Sequence, residues 1–466
     1  VVGSTIPIAI LMGFWMYKIR PGDVKGASIF GVILLIAAVV AGPVVEQTPW
    51  LASILKMSKN QLALAIPIYA FVASVLPVWM LLAPRDYLST YLKIATIVML
   101  AVGIFVVHPD LKMPAFTQYT AGGGPVIPGP VFPFVFITIA CGAISGFHAI
   151  IATGTTPKMV DNERDVLFVG YGAMLTEGFV AIMALIAACV LVPADYFAIN
   201  SAPAIFAKTG MQVVELPRLA AEVGENIQGR PGGAVSLAVG MAYIFDTLPG
   251  MKGLMSYWYH FAIMFEAVFI LTAVDAGTRV GRFLLQEMFG KVVPKFAERK
   301  WAPGVIITGA LFTGSWGYLV YTGDIRNIWP LFGMSNQLLA ATALIICTTV
   351  LIRMDKAKYM WVTAVPGIAL ACITMYAGYL QITRVYLAPG KENYLLATLA
   401  CMVLAMIVIV VVACFKRWAE LLQIKERVTD IWGERVIMPL PGEAVCLIND
   451  PKEGGVAVKG ATEKWG

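Results

Sequence analysis

Histidine is nearly missing from this chain, with three in 466 residues. That argues against haem held between helix pairs, and with the seven cysteines scattered there is no Cys-x-x-Cys pair and no Cys/His cluster. Neither a disulfide framework nor a zinc site is indicated. Charge is also scarce: Asp, Glu, Lys and Arg make up 13% of the residues, about half the usual share of a soluble domain. An ordinary soluble protein is excluded. No G-x-x-x-x-G-K-[ST] occurs, so the glycine-rich stretch at 122–130 (GGGPVIPGP) is no phosphate cradle and ATP is not the direct driver. H-E-x-x-H and G-x-S-x-G are absent too. The net charge of +6 comes with no basic stripe interleaved with aromatics, which speaks against nucleic acid. The expectation is a protein that is not an enzyme and carries no cofactor and no metal. The chain opens Val1-Val2-Gly3-Ser4 without Met and without a signal-peptide pattern. Further helices are therefore expected upstream.

What the chain has in abundance is apolar sequence, 59% of its residues. Runs of about 20 apolar residues suit a hydrocarbon core of about 30 Å. They fall near 3–17, 27–45, 62–83, 91–107, 132–152, 167–192, 233–248, 257–275, 303–321, 329–352, 360–381 and 395–415. The fold class read from this is all-α and polytopic, a transmembrane domain over 1–415. A polar tail over 416–466 follows, and its first part, KRWAELLQIKERV, reads as an amphipathic helix on the cytoplasmic face. The short loops richest in Lys and Arg are about 276–302, 18–26 and 353–358, and the positive-inside rule places them in the cytoplasm. Parity of crossings then requires one run not to span. The weakest is 233–248, which is short and ends in Asp246 and Pro249. It is predicted to be re-entrant or interfacial, leaving about eleven transmembrane helices.

One stretch breaks the rules of a membrane span. Phe134 to Lys158 reads FVFITIACGAISGFHAIIATGTTPK, with Gly142, Ser145, Gly146 and His148 at mid-span and Thr153 and Thr155 near its end. In hydrocarbon every backbone polar group needs a protein partner. Such a segment either lets two helices approach closely or lines a pathway, as interrupted helices do in many secondary transporters. A second interruption is marked by Pro67, Pro77 and Pro84 within one run, closed by Arg85 and Asp86. It reads either as a gate or as a kinked helix with an ordinary charged end.

Ionisable residues inside spans are functional candidates by default. Glu177 lies ten residues into its run and Glu266 about two turns into another, with Asp275 near the inner end of that run. A buried carboxylate can carry a proton. Thr272, Asp275 and Thr278 together offer oxygen ligands for Na⁺ instead; the plainer alternative pairs Asp275 with Arg279 or Arg282 as an anchor. Asn336 and Gln337 most simply join helices, and His148 and His260 are either relay or structural histidines.

The segments LPVWMLLAPRDYLSTYLKI (76–94), FPFVFITIACGAISGFHAIIATGTTPKM (132–159), GGAVSLAVGMAYI (232–244), WYHFAIMFEAVFILTAVDAGTR (258–279) and IWPLFGMSNQLL (328–339) resemble the carbon starvation protein A family, in order over residues 3–381. The resemblance implies a bacterial inner-membrane uptake transporter for pyruvate or short peptides, proton-coupled in the pyruvate case, with an inverted-repeat bundle like that of amino acid–polyamine–organocation transporters. It also implies upstream helices that this sequence lacks. A small carboxylate would then be held by helix N-terminal N–H groups, with Ser145, His148 and Thr153 adding donors and Glu266 or Glu177 taking the proton. The partners expected are that substrate, protons or Na⁺, and membrane lipid. The competing readings are a proton-translocating or channel-like subunit of a membrane complex and a non-transporting starvation sensor.

Overall fold

The structure is a computed structural model that describes residues 2–42, 45, 48–50, 53, 57–139, 142, 144–154, 156, 160–298, 301–323, 325–389, 392–424, 427–429 and 435–437. Its principal helices are α1 (Thr5–Phe14), α2 (Val24–Val40), α3 (Lys59–Val75), α4 (Leu82–Val107), α5 (Val131–Ile139), α6 (Gly146–Gly154) and α7 (Asp165–Cys189). They continue with α8 (Pro193–Asn200), α9 (Leu216–Val223), α10 (Ala234–Thr247), α11 (Met255–Gly290), α12 (Ala302–Thr322), α13 (Ile325–Arg353), α14 (Trp361–Gln381) and α15 (Tyr394–Gln423). A short antiparallel hairpin, β1 (Arg427–Thr429) with β2 (Arg435–Ile437), follows. Among the described residues seven helices are long and apolar enough to cross a membrane: α4, α7, α11, α12, α13, α14 and α15. The chain is a multi-pass membrane protein. Shorter apolar helices include α3 and α10; the 14 residues of α10 give about 21 Å, too short for a full crossing.

The chain divides into two compact units, one of Val1–Val131 with Ile151–Ile328, the other of Phe132–Ile150 with Trp329–Gly466. In the first unit α11 is the axis, packing against α3, α4, α10 and α12. Its 36 residues make a rod of about 54 Å. Beside it, Met183 and Ala187 of α7, Ile199 of α8, Leu219 and Val223 of α9, and the Ala238–Phe245 face of α10 form one apolar core. Asp195 ties this region together, accepting from the backbone N–H groups of Val214 and Glu215 at 2.8 Å each. In the turn before α2, Asp23 accepts from Gly26 N–H at 2.9 Å and Trp15 Nε1–H at 3.3 Å. These bonds hold its carboxyl below the usual range.

In the second unit α13, α14 and α15 pack through Leu338, Ala341, Leu370 and Ile407, and through Ile345, Ile352, Ala364, Trp418 and Leu421.

Three expected boundaries are corrected. The run at 62–83 is no single span: α3 stops at Val75, and α4 starts at Leu82 and continues unbroken through the run at 91–107. Pro77 ends α3, because a proline pushes the preceding residue to extended backbone and Leu76 has ψ 150°. Pro84 sits in the first turn of α4, where its missing N–H costs nothing. The basic loop expected at 276–302 is helical to Gly290, and its Arg279 and Arg282 are buried. Among the described residues, 416–423 is not a separate amphipathic helix. Instead α15 runs on to Gln423, docked by Trp418, whose Nε1–H donates to Thr349 Oγ1 at 2.8 Å, and Arg427–Thr429 is a strand.

Candidate functional site

The first unit carries its chemistry where α3 gives way to α4. The last turn of α3 leaves carbonyls that no further helix can use. Arg279 of α11 supplies the donor: its Nη2 reaches the carbonyl oxygens of Ala73 and Leu76 at 2.6 Å each. A fixed cation thus sits at the negative end of the α3 dipole. From the other side α1 presses onto the bend. A Cβ on Gly13 would lie 2.8 Å from the Trp79 carbonyl oxygen and 2.9 Å from that of Met80, which is why a glycine stands there. Tyr17 stacks on Trp79 with ring centroids 4.3 Å apart. Replacing Gly13 by Val is expected to lower the stability of the purified protein by about 1–3 kcal/mol through overpacking. A melting temperature equal to the parent's would show that α1 can yield here at no cost.

Next to the bend is a buried ion pair. Arg85, wholly buried, donates from Nη1 to Asp275 Oδ2 at 2.9 Å, with Asp275 2% exposed. The Tyr69 hydroxyl donates to the same oxygen at 2.7 Å. Arg85 Nη1 also reaches the Tyr69 hydroxyl, and its guanidinium lies 5.2 Å from the Tyr69 ring centroid. One turn and two turns along α11 from Asp275 lie Arg279 and Arg282, the latter bonded to Gln286 Oε1 at 3.0 Å. Three arginines and one aspartate are therefore buried along α4 and α11. Several of their polar atoms are unpartnered among the described residues: Arg85 Nε and Nη2, Asp275 Oδ1, Arg279 Nε and Arg282 Nε. Natural interiors leave few such atoms.

Two turns further along α4, Lys93 places its ammonium 3.4 Å from Thr272 Oγ1 and 4.9 Å from the Phe269 ring centroid. The Thr272 hydroxyl itself donates to the Phe269 carbonyl at 2.7 Å. Glu266, half-buried, stands on the wall of a pocket of about 100 Å³ lined mostly by apolar groups such as Leu100, Met183, Met241 and Phe269. It has no hydrogen-bond or ion-pair partner among the described residues.

The second unit holds the other interrupted stretch. Helix α5 ends at Ile139 and α6 begins at Gly146. Amide side chains of α13 secure the corner between them. Asn336 accepts from Phe147 N–H at 2.9 Å and donates to the Ile144 carbonyl at 3.3 Å. Gln337 donates to the Phe136 carbonyl at 2.8 Å, and Trp329 Nε1–H to that of Thr138 at 3.3 Å. A Cβ on Gly146 would overlap the Asn336 carbonyl oxygen. Ser145 Oγ accepts from His148 N–H at 3.2 Å and lies 2.5 Å from His148 Nδ1.

The sequence candidates thus separate. Arg85 and Asp275 come together, with Pro77 at the bend beside them and Thr278 buried on α11. Asp86 is half-buried one residue on. Thr272 faces an ammonium. Asp275 pairs with Arg85, while Arg279, one of its two expected partners, serves the α3 carbonyls. Ser145, Gly146 and His148 share the α6 corner, and Gly142 is exposed; Thr153 is in α6, its side chain outside the described residues, as is Thr155 altogether. Glu177 lies on an exposed face of α7. His260, exposed, donates from Nδ1 to the Ser256 carbonyl (2.6 Å) and lies 3.6 Å from Glu225. Sequence reading missed Tyr69 and Lys93. Lys93 had a signal, an ammonium ahead of an apolar run, but the expected start of that span at 91 put it at a helix end.

The family model for carbon starvation protein CstA matches residues 1–377. The peptide transporter CstA of Bacillus subtilis (strain 168) is 51% identical over 423 residues, 90% of this chain and 70% of that protein. In Escherichia coli (strain K12), the pyruvate/proton symporter BtsT is 46% identical over 418 residues, and the peptide transporter CstA is 48% identical over 403. Both alignments cover 81% of this chain and 58% of the relative, so the chain spans little more than half the length of these proteins. No solved structure matches the chain.

Proposed function

The chain belongs to the carbon starvation protein CstA family, and from that premise we propose that the intact protein is a secondary active transporter importing pyruvate or short peptides by proton symport. The observation that carries this reading is the buried Arg85–Asp275 pair with Tyr69, set at an interrupted helix. Ionisable groups at membrane depth mark ion pathways and proton relays. Interrupted helices are where secondary transporters bind substrate and coupling ion. The same features favour transport over catalysis.

The coupling ion fits a proton better than Na⁺. In interrupted-helix transporters, half-helix C-terminal carbonyls coordinate Na⁺; here Arg279 takes those of α3. Thr272 meets the Lys93 ammonium and Asp275 the Arg85 guanidinium. Two of the three groups proposed for Na⁺, Thr272 and Asp275, thus have a protein cation within reach, which disfavours a second cation there by direct repulsion. Glu266, alone in an apolar pocket, remains the leading proton carrier among the glutamates, ahead of Glu177. Donors at the start of α6 — Ser145, the backbone from Gly146, and His148 — form one proposed contact for substrate.

About eleven crossings, with α10 as the re-entrant or interfacial piece, belong to this proposal. So do the inner membrane as location and a cytoplasmic tail. Cells expressing the intact gene are expected to take up labelled pyruvate or a labelled dipeptide saturably, and an uncoupler should abolish it. Glu266→Gln is expected to weaken the proton dependence. Uptake that survives E266Q and E177Q together with its proton dependence intact would remove both glutamates from the mechanism. No uptake of either probe by protein shown to be in the membrane would favour the complex-subunit or sensor reading.

A further inference from the structure

The guanidinium groups beside the α3–α4 bend are charged beyond what the protein itself balances. Arg85, Arg279 and Arg282 are buried with Asp275 as the one fully buried acid among them. Arg85 is wholly buried yet uses only Nη1; among the described residues its Nε and Nη2 are without a partner, as is Nε of Arg279. On the acid, Oδ2 receives both Arg85 and Tyr69 while Oδ1 receives nothing from the described residues. A guanidinium presents a planar fork that matches a carboxylate by two parallel bonds. Here the fork is engaged through one nitrogen only. We infer that Arg85, with Arg279 beside it, is the site that takes the carboxylate of the transported molecule, and that Asp275 competes for Arg85 until it accepts the symported proton.

The inference rests on the transport reading above, and it closes in charge. With Asp275 ionised, the Arg85–Asp275 pair is neutral. A proton entering on an Asp275 carboxylate oxygen makes that side chain neutral and removes its claim on Arg85. The substrate carboxylate then restores the neutral pair. The charge of the cluster is the same in both states, so the cycle adds no further buried charge at either end, which a low-dielectric site would penalise. Tyr69 is placed to serve both states: its hydroxyl donates to ionised Asp275 now and can accept from the protonated acid.

The other charged and titratable groups around Asp275 are few. Helix α4 brings Asp86 and Lys93 besides Arg85, and α11 itself brings Glu266, Arg279, Arg282 and exposed Glu287. Helix α12 and the first turn at Val2–Ser4 carry no charged residue. In the remaining neighbours, Asp246 of α10 accepts from Leu254 N–H, Arg218 of α9 pairs with Glu222, and Lys295 is exposed. Asp86 and Glu266, both half-buried, are the acids that compete for the same proton.

The test uses the intact protein in proteoliposomes, with pyruvate and alanyl-alanine as carboxylate probes and pyruvamide and alanyl-alanine amide as uncharged-end controls. The parent is expected to take up at least one carboxylate probe faster as external pH falls and to discriminate against its amide. Asp275→Asn imitates the protonated acid. It is expected to keep substrate exchange between equal concentrations, to flatten the pH dependence and to lose accumulation against a gradient. Arg85→Lys is expected to raise KM for the carboxylate probe about tenfold or more and to narrow the preference over the amide. The charge argument adds a second readout: pyruvate uptake, one anion with one proton, is expected to be insensitive to an imposed membrane potential, whereas the zwitterionic dipeptide with one proton is driven by it. Undiminished pH dependence in D275N, or full discrimination against the amide in R85K, overturns the inference while leaving transport intact. If D275N does not assemble, R85K with the amide controls decides alone. Absence of proton-driven uptake in the parent overturns the transport reading instead.

Discussion

Arg85→Gln is expected to cost about 3–5 kcal/mol of stability, because removing one partner of a buried pair leaves the other charge uncompensated. The side chain is wholly buried and holds Asp275 at 2.9 Å. The Tyr69 hydroxyl at 2.7 Å is the neutral donor left to the carboxylate among the described residues, and a hydrogen bond from a neutral group returns only part of that loss. The double variant R85Q/D275N removes both charges, so it is expected to be more stable than R85Q alone. Unfolding of the purified protein in detergent, for the parent, both singles and the double, gives the coupling. A double variant whose loss equals the sum of the singles would show that the two side chains do not act as a pair. This stability readout is separate from the transport assay above, which asks what Arg85 binds rather than what it holds up.

The reason this pair was only half legible in the sequence lies in how helices end. Apolar runs gave the all-α, multi-pass architecture directly, because hydrocarbon demands them. They could not give the true ends of α4 and α11. Both helices carry charged residues beyond their apolar runs, Arg85 and Asp86 on one and Arg279 and Arg282 on the other. Hydropathy reads those charges as loop, and the loop charges were read as topology signals. The structure buries Arg279 and Arg282 because each meets acceptors that come from far along the chain or from the next turn: the carbonyls of Ala73 and Leu76, and Gln286. Nothing local marks such a partner. Tyr69 was invisible for the same reason, being 206 residues from the carboxylate it bonds. Pro77 was legible as a break but not distinguishable from Pro84, since the distinction depends on where the next helix begins.

Asn336→Leu carries the second large effect and lies in the other unit. The glycines and polar residues between 139 and 146 announced an interrupted span, and the two amides of α13 announced a helix-joining role, but the sequence did not show that these features are one device. Asn336 spans the corner, taking Phe147 N–H and giving to the Ile144 carbonyl. Leucine leaves both backbone groups without that partner, at about 1–3 kcal/mol each when buried. Gln337→Leu, which removes the bond to the Phe136 carbonyl, is expected to cost about 1–3 kcal/mol by the same reasoning. The local readout is amide hydrogen exchange: N336L should lose protection at Phe147 and its neighbours at the start of α6, while Q337L spares them. Equal exchange in the parent and N336L would mean that close packing of Gly146 against α13, rather than the amide, fixes the corner. Gly146→Ala then becomes the discriminating variant, because its Cβ would overlap the Asn336 carbonyl oxygen while leaving every hydrogen-bonding group in place. Loss of the corner in G146A alone would assign it to packing; loss in both variants would mean that the amide bonds and the close approach depend on each other.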